Sequence, residues 1–258
     1  MAPLTDVVRF LDEELRTAEI PDYEVALNGL QLANAGAVSR IAAAVDFSTA
    51  TVEGALREKA DLLLVHHGMF WGGAERMVGP SFQRLRKAIA GELAVYSSHL
   101  PLDLHATLGN NALFAEELQL KSDDTFGRYK TIEIGIAGTA TELTTASLFD
   151  RVREHSAKFA TNAVCTSNDK TRITRRWAIV TGAGASSDTL REAAERGIDT
   201  LIVGEGPHHS AVLARELGIV VMYAGHYASE VFGVRALASH VGSRFDLPAT
   251  FVDVPTGL

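Results

Sequence analysis

The 258-residue chain reads as an α/β protein of two lobes, each with a mixed sheet flanked by helices, and three observations lead there. Short apolar runs alternate with helical stretches along most of the chain. Runs such as Asp61-Leu-Leu-Leu-Val65 are too short and too apolar for amphipathic helices and read as central strands. The polar turn Lys121-Ser-Asp-Asp124 then interrupts the alternation, which restarts at Thr131-Ile-Glu-Ile-Gly-Ile-Ala.

Element by element, Leu4, Val7, Val8, Leu11 and Leu15 fall on one face of a first helix with Thr5 placed as its N-cap, and the segment closes near Pro21. Strands are predicted near 40–46, 61–65 and 93–97, with helices near 48–59, 81–91 and 106–118. In the second half, strands are predicted at 174–181, 199–203 and 219–224, and helices at 145–158, 187–196, 208–217 and 227–241. The expected lobes are residues 1–124 with 222–258, a discontinuous metal-binding lobe, and residues 125–221.

Composition narrows the function classes. With 47% hydrophobic residues the chain should fold throughout. A net charge of −8 argues against nucleic acid and anionic membranes as partners, and Arg172, Arg175 and Arg176 read as solvated surface. The single cysteine, Cys165, rules out an intrachain disulfide framework and a thiolate metal cage, and reads as a core residue. There is no signal-peptide pattern at Met1-Ala-Pro-Leu-Thr-Asp and no run of about 18 apolar residues, so a cytoplasmic location is expected.

The chemistry concentrates at strand ends, where open α/β sheets hold ligands. His66 and His67 stand where a buried strand empties toward Gly68, and Gly225-His226-Tyr-Ala-Ser-Glu230 sets an imidazole and a carboxylate one helical turn apart on one face. Asp103, after Ser98-His99-Leu-Pro-Leu, reads either as a metal ligand or as a helix N-cap. His99 is better placed as an outer partner or proton carrier than as a ligand. Glu205, His208 and His209 follow a strand and read either as cleft-lining acid–base groups or as caps. Thr181-Gly182-Ala-Gly184-Ala-Ser186 has the form of a turn that could cradle phosphate, and Phe70 and Trp71 read as purine-stacking or subunit-contact aromatics. Imidazoles and carboxylates suit zinc, manganese, iron, cobalt or nickel alike.

The runs His66-His67-Gly68-Met-Phe-Trp71, Ser98-His99-Leu-Pro-Leu-Asp103 and Gly225-His226-Tyr-Ala-Ser-Glu230 resemble the NIF-three-like proteins, the GTP cyclohydrolase I type II homologues. Asn28-Gly29-Leu30-Gln31, Ala44-Val45-Asp46 and Gly204-Glu205-Gly206-Pro207-His208-His209 extend the resemblance in the same order. It implies a NIF-three-like fold and two divalent metal ions per chain, held by His66, His67, Asp103, His226 and Glu230 with Glu230 as the bridge. It also implies assembly as a homohexamer. The chain departs from many members at Leu100-Pro101, where they carry Thr-Asn, and has no room for the extra domain of longer members.

The expected function is a dinuclear-metal-dependent hydrolase of a small, nucleotide-like substrate, with metal-activated water as nucleophile and His99 or Glu205 assisting proton transfer. The resemblance adds GTP ring opening as the candidate reaction. The alternative is a non-catalytic, metal-stapled hexameric ring that serves as a partner-binding or regulatory scaffold.

Overall fold

The computed structural model describes residues 1–258, and the chain clusters into two compact units, residues 1–102 with 233–254 and residues 103–232 with 255–258. Both carry mixed sheets with helices, as the alternation predicts.

In the first unit, β1 (Ala2–Pro3) leads into α1 (Leu4–Glu14) and pairs with β3 (Ala37–Val38). The five-stranded sheet is built from β2 (Gly29–Leu32), β4 (Ile41–Asp46), β5 (Leu62–His67), β6 (Ala94–Ser97) and β13 (Ala249–Phe251), in the order β13-β4-β5-β6-β2. The first three neighbouring pairs are parallel and β2 closes the edge antiparallel to β6. Every residue of β5 is buried, which is why it shows no polar alternation: a parallel strand covered on both faces is apolar throughout. Ala42, Ala44, Leu63, Val65 and Val95 pack from the sheet against Val52 and Ala55 of α2 (Thr49–Arg57) and Ala88 of α3 (Gly79–Ala90). Helix α2 starts on a reciprocal cap in which Thr51 N–H donates to Ser48 Oγ at 3.2 Å and Ser48 N–H to Thr51 Oγ1 at 2.8 Å.

The second unit opens with the short helix α4 (Leu100–Asp103), which begins in the first unit, and α5 (Asn110–Glu117). Its six-stranded sheet contains β7 (Asp124–Tyr129), β8 (Ile132–Thr144), β9 (Val164–Cys165), β10 (Ile173–Val180), β11 (Thr200–Val203) and β12 (Val220–Tyr223), in the order β7-β8-β10-β11-β12-β9. The pairs β10/β11 and β11/β12 are parallel, and the outer strands run antiparallel. Helices α6 (Thr145–Ala157), α7 (Ser187–Glu195) and α8 (His208–Glu216) complete it, and α9 (His226–Phe245) starts here and continues into residues counted with the first unit. Two apolar clusters form the core, one around Leu190, Leu201 and Val221, the other around Trp177, Ile179 and Met222.

Three local expectations are corrected. The first helix is capped by Pro3, not Thr5, because the strand pairing of Ala2 and Pro3 delivers the chain straight into Leu4. The helix expected from 106 begins only at Asn110, since the His105 ring accepts from the N–H groups of Thr107 and Leu108 and holds 105–108 as a turn. β5 runs through both His66 and His67 instead of ending before them, and His67 pairs in register with Asp46. The two units divide at 102/103 and 232/233, and every strand of the second sheet lies between Asp124 and Tyr223. Helix α5 belongs with the second unit, because Phe114, Ala115 and Leu118 pack with Trp177 and Ile179. No helix is long and apolar enough to cross a membrane.

Candidate metal centre

In the first unit, three buried imidazoles meet at the carboxyl ends of β5 and β6. His66, His67 and His99 present one nitrogen each, all within 4.8 Å of one another. Each ring is held by its Nδ1. His66 Nδ1 donates to the Ser98 carbonyl, His67 Nδ1 to Asp46 Oδ1 and His99 Nδ1 to Asp22 Oδ1, all at 2.9 Å. A proton fixed on Nδ1 leaves the lone pair on Nε2, the form in which neutral histidine binds metals.

The acceptors are themselves held. Asn28 Nδ2 donates to Asp22 Oδ2 at 2.8 Å, the Leu100 N–H to the same oxygen at 2.9 Å, and the His99 N–H to Asn28 Oδ1 at 2.8 Å. Burial works against the Asp22 charge, but the His99 imidazole, the Asn28 amide and the Tyr23 backbone hold its carboxyl below the usual range. Gln31 fixes the chain after His67: its Oε1 accepts from Met69 N–H at 2.6 Å while its Nε2 donates to the Ala26 and Leu27 carbonyls at 3.1 and 3.0 Å. Gly68 leaves room for the Gln31 amide, which a Cβ there would push aside. The Trp71 ring closes the group, 4.5 Å from the His67 ring and 4.4 Å from the His99 ring.

In the second unit, His226 and Glu230 occupy the first turn of α9, just past β12. His226 Nε2 lies 3.1 Å from Glu230 Oε2, and His226 Nδ1 donates to Glu205 Oε1 at 2.9 Å. Burial opposes the imidazolium, yet the Glu230 and Glu205 carboxylates outweigh it and push the His226 pKa up to about 10. The buried Glu230 carboxylate thus lies against this ring, and its burial calls for positive charge beside it. The turn after β10 fits around that carboxylate: Gly182 takes φ +61, and a Cβ there would collide with Glu230 Oε1. Ser229 Oγ accepts from Gly182 N–H at 3.0 Å and donates to the His226 carbonyl at 2.9 Å.

Asp103 ends α4 and is 7% exposed, with Asn110 Nδ2 donating to its Oδ1 at 2.7 Å. It is not an N-cap, since α5 is capped by Gly109 without side-chain help. His208 and His209 are exposed on the first turn of α8. In the 181–186 turn, the N–H of Thr181 donates to Asn111 Oδ1, that of Gly182 to Ser229 Oγ, that of Ala185 to the Glu205 carbonyl and that of Ser186 to the Gly184 carbonyl. Glu205 contacts His226 and so acts through that ring. The donors thus fit divalent metal: the buried His66, His67 and His99 imidazoles already in their ligating tautomer, and the buried Asp103 and Glu230 carboxylates. Sequence spacing missed Asp22 and Asn110 altogether. Asn28, Gln31 and Asp46 stood in recognisable motifs, but their hydrogen bonds to the histidine loops connect distant segments.

Comparisons with known proteins agree over the whole chain. A protein from Deinococcus radiodurans named "GTP cyclohydrolase 1 type 2 homolog" is 41% identical over 255 residues, covering 98% of this chain and 94% of that protein. Among solved structures, "protein ybgI, unknown function" superposes with a TM-score of 0.89 at 31% identity and full coverage of both chains. TTHA1606 from Thermus thermophilus gives 0.83 at 33% identity, again with full coverage. The family model for Duf34/NIF3 (NGG1p interacting factor 3) matches residues 2–256, the span that carries both histidine-bearing strand ends, and this chain belongs to that family.

Proposed function

We propose that this chain is a dinuclear-metal-dependent hydrolase of a small, nucleotide-like substrate, in which His66, His67, Asp103, His226 and Glu230 would hold two divalent ions. The observation that carries the reading is the set of buried imidazoles of the first unit locked through Nδ1 at strand ends, with the second unit supplying the buried Asp103 and Glu230 carboxylates. Nothing in a structural core asks for so many imidazoles held in one tautomer. The relatives' name, "GTP cyclohydrolase 1 type 2 homolog", supports purine ring opening as the first reaction to test.

Two such ions, when bound, polarise a substrate and bring the pKa of water near neutrality. The chain's own residues do the rest. Asp46 and Glu205 hold the rings of His67 and His226 in ligating orientation. His99, anchored by Asp22, keeps Nε2 as the group that accepts and returns a proton, so its role is that of a proton carrier. Trp71 and Tyr23, whose rings lie 4.4 and 5.8 Å from that of His99, form an apolar wall that limits water around the imidazoles. The homohexamer implied by the family resemblance is part of this proposal and is checked by sedimentation of the purified protein.

The test is product analysis by mass spectrometry after incubation of GTP with metal-loaded wild type and Asp103→Ala. Formate and an opened purine formed by wild type alone establish ring opening. Phosphate release alone assigns a different hydrolase. Unchanged GTP, and no turnover across a broader phosphoester panel, moves the reading to a non-catalytic metal-stapled scaffold.

A further inference from the structure

Beside His67, and wholly within the first unit, lies a cavity of about 280 Å³ whose wall includes Asp46, His67, Trp71, Glu75, Ser81 and Arg84. Arg84 is the anomaly in it. Its guanidinium sits over the Phe47 ring, 5.1 Å from the centroid, and its buried Nε has no hydrogen-bond partner. The ion pair it does make is long, 3.4 Å from Nη2 to Glu75 Oε1. A guanidinium offers a fork of donors matched to a two-oxygen anion, and leaving a buried donor unmet costs free energy.

The same oxygen, Glu75 Oε1, also accepts from Ser81 Oγ at 2.7 Å. Ser81 and Arg84 stand three residues apart on one face of α3, and Ser81 is in its first turn, where the helix favours negative charge. That first turn has no side-chain cap. Glu75 itself is exposed and belongs to the irregular segment between β5 and α3, so its carboxylate reaches the Ser81 and Arg84 donors from outside the helix. Asp46, the other acid on the wall, is engaged with His67.

We infer that Ser81 and Arg84 form an anion subsite beside His67 that takes a phosphoryl group of the substrate, and that Glu75 is the placeholder it displaces. The inference deepens the hydrolase reading by assigning a phosphorylated substrate, and it rests on that reading only for the use made of the bound group. It also gives the segment 72–78 a function, since release of Glu75 accompanies filling of the site.

The experiment is calorimetric titration of the full-length chain with inorganic phosphate and, in parallel, with GMP, both as purified and after dialysis against chelator. Wild type, Glu75→Gln, Ser81→Ala, Arg84→Lys and Arg84→Met are compared after a thermal melt of each. The expected result is saturable binding that survives chelation, tightens about threefold or more in Glu75→Gln, and weakens about tenfold in Arg84→Met. Ser81→Ala and Arg84→Lys weaken it several-fold, and they carry the test if Arg84→Met does not fold. The probe that binds more tightly distinguishes free phosphate from a phosphate monoester. No binding to Glu75→Gln, or binding unchanged by the Ser81 and Arg84 variants, overturns the subsite. Binding that vanishes on chelation also overturns it and leaves the hydrolase reading intact, whereas metal-independent binding without any turnover sinks the hydrolase reading and leaves the subsite standing.

Discussion

Asp46 and His67 are register partners on neighbouring parallel strands, and the carboxylate accepts from the ring Nδ1 at 2.9 Å. The pairing of β4 with β5 therefore determines which nitrogen of His67 is left for a ligand. Replacing Asp46 by Ala should lower metal affinity by about 10- to 100-fold, the usual effect of losing a histidine's outer partner. Its side chain is 39% exposed, so the melting temperature of the metal-free protein should hardly move. Chelator competition and a thermal scan measure the two quantities, and an equal loss in both would mean that Asp46 serves the fold instead.

Gly182 is a second position where the backbone meets a candidate metal ligand, here Glu230. Gly182→Ala forces a side chain into the left-handed region and against Glu230 Oε1, costing about 1–3 kcal/mol. Denaturant unfolding should show that loss, and elemental analysis should show reduced metal content. Full metal loading in a folded Gly182→Ala protein would contradict the fit described for Glu230.

His155 supplies the pH dependence. Burial among Phe114, Phe159 and Phe232 lowers its pKa from 6.5, against the opposing pull of the Ala228 carbonyl and Glu117. A histidine depressed in the folded state binds its proton preferentially when unfolded, so stability falls as pH drops below about 6.5 and levels off below the folded value. The loss approaches at most about 1.4 kcal/mol per pH unit. Urea titrations from pH 7 to 5 should show a shallower decline for His155→Phe than for wild type, and parallel curves would refute the assignment.

Cys165 sits half-buried on the edge strand β9, where burial raises its thiol pKa against weaker help from the Ser167 backbone and Arg172. It should react with a thiol reagent at pH 7.5 several-fold more slowly than a free thiol, in line with its smaller thiolate fraction. Reaction faster than the free thiol would mark an activated cysteine.

What was legible in the sequence was whatever is encoded locally. Leu62–Val65 declares itself as a buried strand by composition, and His226 with Glu230 declares a shared helix face by spacing. The short strands β1, β3, β9 and β13 were not legible, because so few residues carry no period and they exist only through partners far along the chain, as β13 does on β4. The bond between His99 and Asp22 joins residues 77 apart, and no local pattern reports it. Thr5 failed as a cap for the same reason: the pairing of Pro3 with Ala37, a tertiary contact, decided where the helix begins.

Metal stoichiometry of the purified chain tests the central claim most directly. Elemental analysis and calorimetric titration of wild type, His67→Ala and Glu230→Gln should give two ions per chain for wild type and a lower occupancy for each variant with its fold retained. Fewer than two ions in wild type, or occupancy indifferent to both substitutions, would contradict a dinuclear centre built from these residues.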